Sequence, residues 1–423
     1  MTVDVLLACA GVLAIGVAAL SGRLRRWPLS EPVLGLLAGV FLGPAVLGVL
    51  QVPSPVEEPG WLHEATRILL AISVMSVALR YPIRDVRSRL RPVLLLLAVV
   101  LPVMAVLTAG VAGVALGIGL GSAALLGAAL CPTDPVLASN VVTGTPAERD
   151  LPARDRQLLS LESGANDGLA LPLVLLAVAI AGPVTIGTAV TESLWQVGGA
   201  VLIGIAVGWL GGRALRAGEQ HGAAEPGPRV FFTAVLALAV LGAAGLARTD
   251  GVLAVFVGGL AFNAVTTGRQ RGAELPIDEA VNRFLLLPLF VVFGAALPWQ
   301  AWAELGWRGP LLVAGVLVLR RLPVLLILRR PLGLGWLDAL YLGWFGPIGV
   351  SALFYLTLEA ERLDVNPVVL AAGMLVVAAS TVVHGVTATP GRILYRRASA
   401  RGEVNVQPAL GPPRGNEHDA STS

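Results

Sequence analysis

Long apolar segments follow one another along almost the whole chain, separated by short polar or proline- and glycine-rich stretches. An α-helix needs about 20 consecutive apolar residues to cross the hydrocarbon core of a bilayer, and the segments have this length. The pattern therefore predicts an all-α polytopic membrane protein with about thirteen transmembrane helices. Their predicted centres lie near residues 12, 41, 70, 104, 130, 172, 204, 239, 259, 291, 319, 347 and 378.

Two of these segments are interrupted near their middle. Residues 129–139 read ALCPTDPVLAS, in which Pro132 and Pro135 flank Asp134, and residues 343–351 read GWFGPIGVS. Proline removes a backbone donor and disfavours helix for the residue before it, so each span is predicted to unwind at its break. A tight turn in an extramembrane loop is the alternative for the first break.

The two breaks occupy corresponding places in the chain. If spans one to six and eight to thirteen form two halves, the broken spans are the fifth and the twelfth, and the odd number of spans between them makes the halves inverted. Paired broken helices in inverted repeats predict an ion site near the bilayer midplane. A simple kink in glycine-rich sequence is the alternative for the second break, which contains Gly346, Pro347 and Gly349.

Composition and charge agree with a membrane protein. The chain is 56% hydrophobic and 13% charged, which excludes a soluble globular class, and its net charge of +3 gives no indication of nucleic-acid binding. Arginines cluster in alternate connections, as in residues 23–26, 80–91 and 149–156. The positive-inside rule then predicts a multi-pass protein of the plasma (inner) membrane with its N-terminus outside and its C-terminus cytoplasmic.

The chain is predicted to form one transmembrane domain over residues 1–397 and a short disordered cytoplasmic tail over residues 398–423, which is rich in Gly, Pro, Asn and Ser. Cys9 and Cys131 lie in apolar sequence without metal-ligand spacing, and we interpret them as packing residues. His384, in the last predicted span, is interpreted as a packing histidine, with a proton relay as the alternative.

Charged residues inside the apolar layer mark the candidate site, because a carboxylate near the bilayer centre costs about 3 kcal/mol. Besides Asp134, the segment LESGANDGLALP at residues 161–172 carries an acidic and polar cluster. On a helix Ser163 and Asp167 share one face, and Glu162 and Asn166 share the neighbouring one. Hydropathy leaves open whether the sixth span contains this cluster or begins after it.

A basic pair, Arg320 and Arg321, stands among leucines and valines in VLVLRRLPVLL. One interpretation is an arginine that reaches the inner membrane interface from a short span. Arg329 and Arg330 mark a better inner boundary, however, which leaves Arg321 buried and in need of an anion such as Glu162.

The chain resembles the monovalent cation/proton antiporter superfamily in the combination and order of three motifs, TDPV, ESGANDG and GWFGPIGV, with a buried arginine between the last two. They are similar to its sodium/proton exchanger branch, which includes NhaP-like bacterial proteins and the fungal plasma-membrane antiporters. The resemblance covers the transmembrane region and implies an NhaA/NhaP-like fold, in which two crossed, broken helices lie in a mobile core that moves against a dimerising scaffold. A homodimer is thus expected, with a sixth span that starts near Leu158.

The resemblance also implies a role for each motif residue. Asp134 and Asp167 would be the carboxylate ligands of the transported Na⁺, with the Thr133 carbonyl and Ser163 hydroxyl completing the oxygen shell and Glu162 organising it. Arg321, more than Arg320, would pair with Glu162. The supporting residues would be Asn166, Arg321, Pro135, Gly346, Pro347 and Gly349.

Two further points follow from comparison with the family pattern. Asn166 stands where electrogenic relatives carry a second Asp, which suggests electroneutral exchange of one cation for one proton. Many bacterial relatives carry a basic residue where this chain has Ile348, so the contacts of that residue cannot be transferred.

The expected function is secondary active exchange of Na⁺, with Li⁺ or K⁺ as further candidates, for protons that compete for the same oxygens, in support of pH homeostasis. No cofactor, no nucleic acid and no enzymatic activity are expected. A gated cation channel that uses the same carboxylates is the alternative. An intramembrane aspartyl hydrolase could also use Asp134 and Asp167, but the proline flanks of one and the asparagine beside the other favour ion ligation.

Overall fold

The computed structural model describes residues 30–182, 184–221, 231–266, 286–363 and 366–404, together with isolated positions before residue 20. The regular secondary structure of these residues consists of helices joined by turns and loops, and they contain no strands. In chain order the helices are α1 (Glu31–Leu42), α2 (Gly60–Leu79), α3 (Ile83–Ser88), α4 (Leu90–Leu116), α5 (Leu120–Ala129), α6 (Pro135–Val142), α7 (Gly144–Asp150), α8 (Ala153–Ala181), α9 (Ile186–Gln220), α10 (Phe232–Leu246), α11 (Gly251–Val265), α12 (Leu286–Ala295), α13 (Trp299–Leu305), α14 (Arg308–Leu328), α15 (Trp336–Trp344), α16 (Val350–Arg362) and α17 (Pro367–Val404).

Six of the described helices are long and apolar enough to cross a membrane, and α12 with α13, bent by 63°, would make a seventh. Each predicted centre from residue 41 onward falls within a described helix or at a break between two. The centre near residue 12 lies outside the continuously described stretches, so the total of thirteen spans stays a prediction, as does the orientation of the termini.

The end of α17 differs from the expected domain boundary. The helix continues past residue 397 to Val404, and Arg401 lies in its last turn, where a cation interacts favourably with the helix dipole. The remaining tail, residues 405–423, and Cys9 lie outside the described residues.

Both predicted breaks are present and they cross one another. The first separates α5 from α6, and the second separates α15 from α16. The two breaks meet where the Asp134 amide donates a hydrogen bond of 2.9 Å to the Pro347 carbonyl. Backbone that leaves a helix at membrane depth must find partners within the protein, and here each break supplies them to the other.

Helices α9 and α11 pack closely through glycines. A side chain at Gly204 would collide with the Ala254 carbonyl, and one at Gly208 would collide with the Gly258 carbonyl. Elsewhere on its surface, α9 exposes large apolar residues, including Leu194, Leu202 and Ile205. The small residues therefore let the two backbones touch, as is common between transmembrane helices.

Candidate ion-binding site

Asp134 is fixed at the crossing of the two broken helices. It is the N-cap of α6, where its Oδ1 accepts hydrogen bonds from the amides of Val136 at 2.8 Å and Leu137 at 2.9 Å. Its Oδ2 accepts another from the amide of Val350, the first residue of α16. Helix N-termini carry unpaired amides and a partial positive charge, so two of them together stabilise this fully buried carboxylate.

The glycine of the second break makes this arrangement possible. A Cβ atom at Gly349 would lie 2.6 Å from Asp134 Oδ2, inside van der Waals contact. Any larger residue would displace the carboxylate from the α16 N-terminus.

Thr133 connects the first break to α8. Its amide donates to Asn166 Oδ1 at 3.3 Å, and its hydroxyl accepts from Asn166 Nδ2 at 2.8 Å. The same hydroxyl lies 3.1 Å from the Ser163 hydroxyl. Four residues named from the sequence, Thr133, Asp134, Ser163 and Asn166, are thus joined by hydrogen bonds or by the chain itself.

Asp167 follows Asn166 on α8 and is fully buried. Neither carboxyl oxygen has a hydrogen-bond partner among the described residues. Asp134 is a neighbouring charged group, and the Ser351 hydroxyl, which lacks a hydrogen-bond partner within those stretches, is nearby. A buried carboxylate without partners is strongly unfavourable, so Asp167 calls for a proton or a cation on its oxygens.

Glu162 and Arg321 form a buried, bidentate ion pair. Arg321 Nη1 donates to Oε1 at 2.5 Å and Nη2 donates to Oε2 at 2.6 Å. The two side chains are only 2% and 3% exposed. Arg321 Nε also donates to the Leu342 carbonyl at 2.9 Å, which connects the pair to α15.

Glu162 can form this ion pair inside the membrane because α8 begins well before it. The sequence left open whether the acidic cluster belongs to the span, and the resemblance implied a start near Leu158. In the structure α8 begins at Ala153, so the whole cluster from Glu162 to Asp167 lies inside the helix.

Arg320 has a role that the sequence did not reveal. Its Nη1 donates to the carbonyls of Leu130 at 2.7 Å, Pro132 at 3.0 Å and Cys131 at 3.2 Å, and its Nη2 donates to the Gly346 carbonyl. These carbonyls close the C-terminal ends of α5 and α15, where helix dipoles are negative. One buried guanidinium therefore stabilises both breaks.

The second break is held from α17. Ser380 Oγ accepts a hydrogen bond from the Ile348 amide at 2.7 Å and lies 3.1 Å from His384 Nδ1. His384 Nε2 lies 3.0 Å from the Trp344 carbonyl, to which it can only donate. Since neutral imidazole has one donor and one acceptor, both ring nitrogens of this buried histidine are satisfied, as the packing interpretation predicts.

Helix α16 supplies a residue that the motifs did not include. The Tyr355 hydroxyl donates to the Asp167 carbonyl, and it lies one turn after Ser351 on the same helix. A buried tyrosine hydroxyl usually finds a partner, but its partner cannot be read from local sequence.

The described arrangement offers oxygen ligands. The available groups are the free oxygens of Asp167, the carboxylate of Asp134, and the hydroxyls of Thr133 and Ser163 around them. Oxygen ligands of this kind suit a small hard cation or a proton.

The sequence of this chain is similar to those of known proteins. The family model described as sodium/hydrogen exchanger, transmembrane, matches residues 11–391. The Na⁺/H⁺ antiporter 2 of Zygosaccharomyces rouxii is 30% identical over 79% of this chain and 43% of its own length. The Na⁺/H⁺ antiporter of Saccharomyces cerevisiae is 29% identical over 79% of this chain and 35% of its own length. The chain spans less than half of these two relatives.

A solved structure confirms the predicted fold. The sodium proton antiporter MjNhaP1 from Methanocaldococcus jannaschii superposes with a TM-score of 0.74 and 17% sequence identity. The match covers 93% of this chain and 99% of that protein. At this identity the likeness concerns the fold alone.

Proposed function

Because this chain belongs to the sodium/hydrogen exchanger family, we propose that it is a secondary active antiporter, which exchanges a monovalent cation for protons across the membrane. The observation that supports this most is the fully buried Asp167, whose two free oxygens lie beside Asp134 at the crossing of two broken helices. A site of this kind accepts one positive charge at a time.

Competition for these oxygens is enough to couple the two fluxes. Glu162 is neutralised by Arg321, and Asp134 is stabilised by three backbone amides, which leaves Asp167 as the carboxyl with free ligand positions. A proton or a cation satisfies Asp167, and neither can bind while the other is present. If the empty site crosses slowly because it carries an unpaired buried charge, the gradient of one ion drives the other.

Ligation of the cation would involve the residues implied by the motifs. Asp167 and Asp134 would supply carboxylate oxygens, and the Thr133 carbonyl and Ser163 hydroxyl would complete the shell. Asn166 and Arg320 would position the first break. Asn166 donates a hydrogen bond to the Thr133 hydroxyl, and Arg320 donates to the carbonyls of Leu130 and Pro132.

Several finer features are part of this proposal. We expect Na⁺, with Li⁺ or K⁺ as further candidates, and a role in pH homeostasis. We expect a homodimer in the plasma membrane, with the N-terminus outside and the C-terminus cytoplasmic. A gated channel is not favoured, because the homologues with which the chain aligns bear antiporter names.

Everted membrane vesicles test the proposal directly. A proton gradient is established and followed with a fluorescent amine, and added Na⁺ should restore fluorescence with wild-type protein. Asp167→Asn, which has no proton-binding carboxyl, should abolish the response at equal expression. Asp85→Asn is the matched control, because Asp85 is a partly exposed carboxylate of α3 beside Arg84, and it should respond as the wild type. Full exchange by Asp167→Asn would refute the proposed site.

Electroneutral exchange is tested separately. Asn166 supplies a neutral amide next to Asp167, so the site has one carboxyl available to each ion. Reconstituted protein should therefore carry no current when Na⁺ is exchanged. A transport current that follows an imposed voltage would contradict this part of the proposal.

A further inference from the structure

Glu359 is a buried carboxyl that the proposed exchange mechanism does not use. It lies on α16 and is fully buried. Among the described residues, neither of its oxygens has a hydrogen-bond partner and no ion pair includes it. An ionised carboxylate in this state is strongly unfavourable, so the neutral acid is the form that fits these surroundings.

The helices around Glu359 offer it no cation. The neighbours of α16 include α5, the segment Leu171–Ala181 of α8, and α17. The first two contain no ionisable side chain, and α17 has none before His384, which is bonded at the second break. On α2, His63 lies 3.3 Å from the Thr357 hydroxyl and 4.0 Å from the Glu361 carboxylate. The other ionisable groups of α2, Glu64 and Arg67, pair with each other.

A line of oxygens on α16 connects Glu359 with the ion site. Ser351, Tyr355 and Glu359 follow at intervals of four residues and so lie on neighbouring positions of one helix face. Ser351 is near Asp167, and the Tyr355 hydroxyl donates to the Asp167 carbonyl. With a rise of 1.5 Å per residue, the line covers about 12 Å from Ser351 to Glu359.

The other end of the line approaches the surface. Glu361 and Arg362 lie less than one turn beyond Glu359, and their side chains are 38% and 32% exposed. Glu359 is thus the last buried group before the helix emerges, on the side of the membrane that the arginine distribution predicts to be outside.

We propose that Glu359 is a second proton-binding site, which takes up a proton at the end of α16 and passes it towards Asp167 through the hydroxyls of Tyr355 and Ser351. This inference rests on the proposed antiport. Water molecules would bridge these groups, and in each transfer an oxygen accepts one proton while it releases its own proton to the next oxygen on the way to Asp167. The hydroxyls end unchanged, Asp167 gains one proton, and Glu359 regains one from water at the helix end.

Two transport modes in proteoliposomes separate this role from a structural one. Exchange of radioactive Na⁺ for unlabelled Na⁺ requires the cation site but no proton, whereas exchange of Na⁺ for protons requires both. Glu359→Gln should keep Na⁺–Na⁺ exchange and slow Na⁺–proton exchange by about tenfold or more, since positioned proton transfer contributes at least that much. The matched control is Glu361→Gln, which removes an exposed carboxylate two residues away and should leave both modes unchanged.

The outcomes discriminate between the proposals. Wild-type Na⁺–proton exchange by Glu359→Gln overturns the inference, and so does an equal loss of both modes, which would indicate a packing role. Tyr355→Phe keeps the ring and removes the hydroxyl, and it should likewise slow Na⁺–proton exchange while keeping Na⁺–Na⁺ exchange. This variant replaces Glu359→Gln in the test if Glu359→Gln is not recovered folded. If the wild type itself shows no cation-dependent proton movement, the proposed function fails instead.

Discussion

Removal of Arg321 provides a quantitative test of the buried ion pair. Arg321→Met keeps the apolar length of the side chain but leaves Glu162 without its cation. Both groups are almost fully buried, so solvent provides little compensation. Loss of one partner of a buried pair costs about 3–5 kcal/mol, and the Leu342 carbonyl also loses a donor, which places the expected loss near the upper end of that range.

Replacement of both partners isolates their coupling. Glu162→Gln combined with Arg321→Met removes both charges of the pair, and the double variant should be more stable than the sum of the two single losses predicts. Arg330→Met, an exposed arginine at the end of the same segment, is the control and should change the unfolding free energy by no more than about 0.5 kcal/mol.

The assay is the free energy of unfolding in mixed micelles, titrated with sodium dodecyl sulfate and followed by circular dichroism. The reasoning is refuted if Arg321→Met unfolds like the wild type. It is also refuted if the losses of the two single variants add up in the double variant, because additive losses would mean that the two charges do not interact.

Three other perturbations test neighbouring parts of the account by the same unfolding assay. Arg320→Met should cost about 3 kcal/mol or more and abolish transport, because four carbonyls at the breaks lose their donor; wild-type stability would contradict this. Thr133→Val should cost about 1–3 kcal/mol and weaken cation binding, since the Asn166 amide loses its acceptor. Unchanged affinity would mean that the Thr133 hydroxyl does not support the site. The hydrogen bond from Arg149 holds the pKa of Asp150 below its usual range. The stabilisation by Asp150 is therefore fully present above the pKa of the unfolded state and is lost as pH falls through the pKa of the folded state, so Asp150→Asn should be less stable than the wild type at pH 7 and equally stable in strong acid. An equal loss of stability at all pH values would assign the effect to packing.

The positions of the spans could be predicted because lipid imposes a length and a polarity on every crossing. The breaks could be predicted because Pro132, Pro135 and Pro347 act on their own backbone and immediate neighbours. The start of α8 could not be derived from hydropathy. Its acidic cluster faces protein rather than lipid, and Arg321, more than 150 residues away in sequence, neutralises one of its carboxylates.

Contacts between distant segments account for the rest. Arg320 and Arg321 are adjacent and chemically identical, yet Arg321 binds a carboxylate and Arg320 binds, among the described residues, only carbonyls. They lie between the segments Arg308–Leu319 and Leu322–Leu328 of α14, and their partners come from distant parts of the chain. The hydrogen bonds of Tyr355 and of the Val350 amide likewise depend on where α16 crosses α6 and α8. From the residues alone, Glu162 is one available anion for Arg321, and the family resemblance then implies this pairing.

The measurement that tests the central claim most directly is proton release on cation binding. Purified wild-type protein in weakly buffered detergent solution is titrated with Na⁺, and a pH indicator follows the protons that appear. If a proton and Na⁺ share the oxygens of Asp167, each bound Na⁺ should release one proton when the site is protonated, and the apparent affinity for Na⁺ should weaken as pH falls. Asp167→Asn should release none. Binding of Na⁺ that is independent of pH and releases no protons would contradict the account.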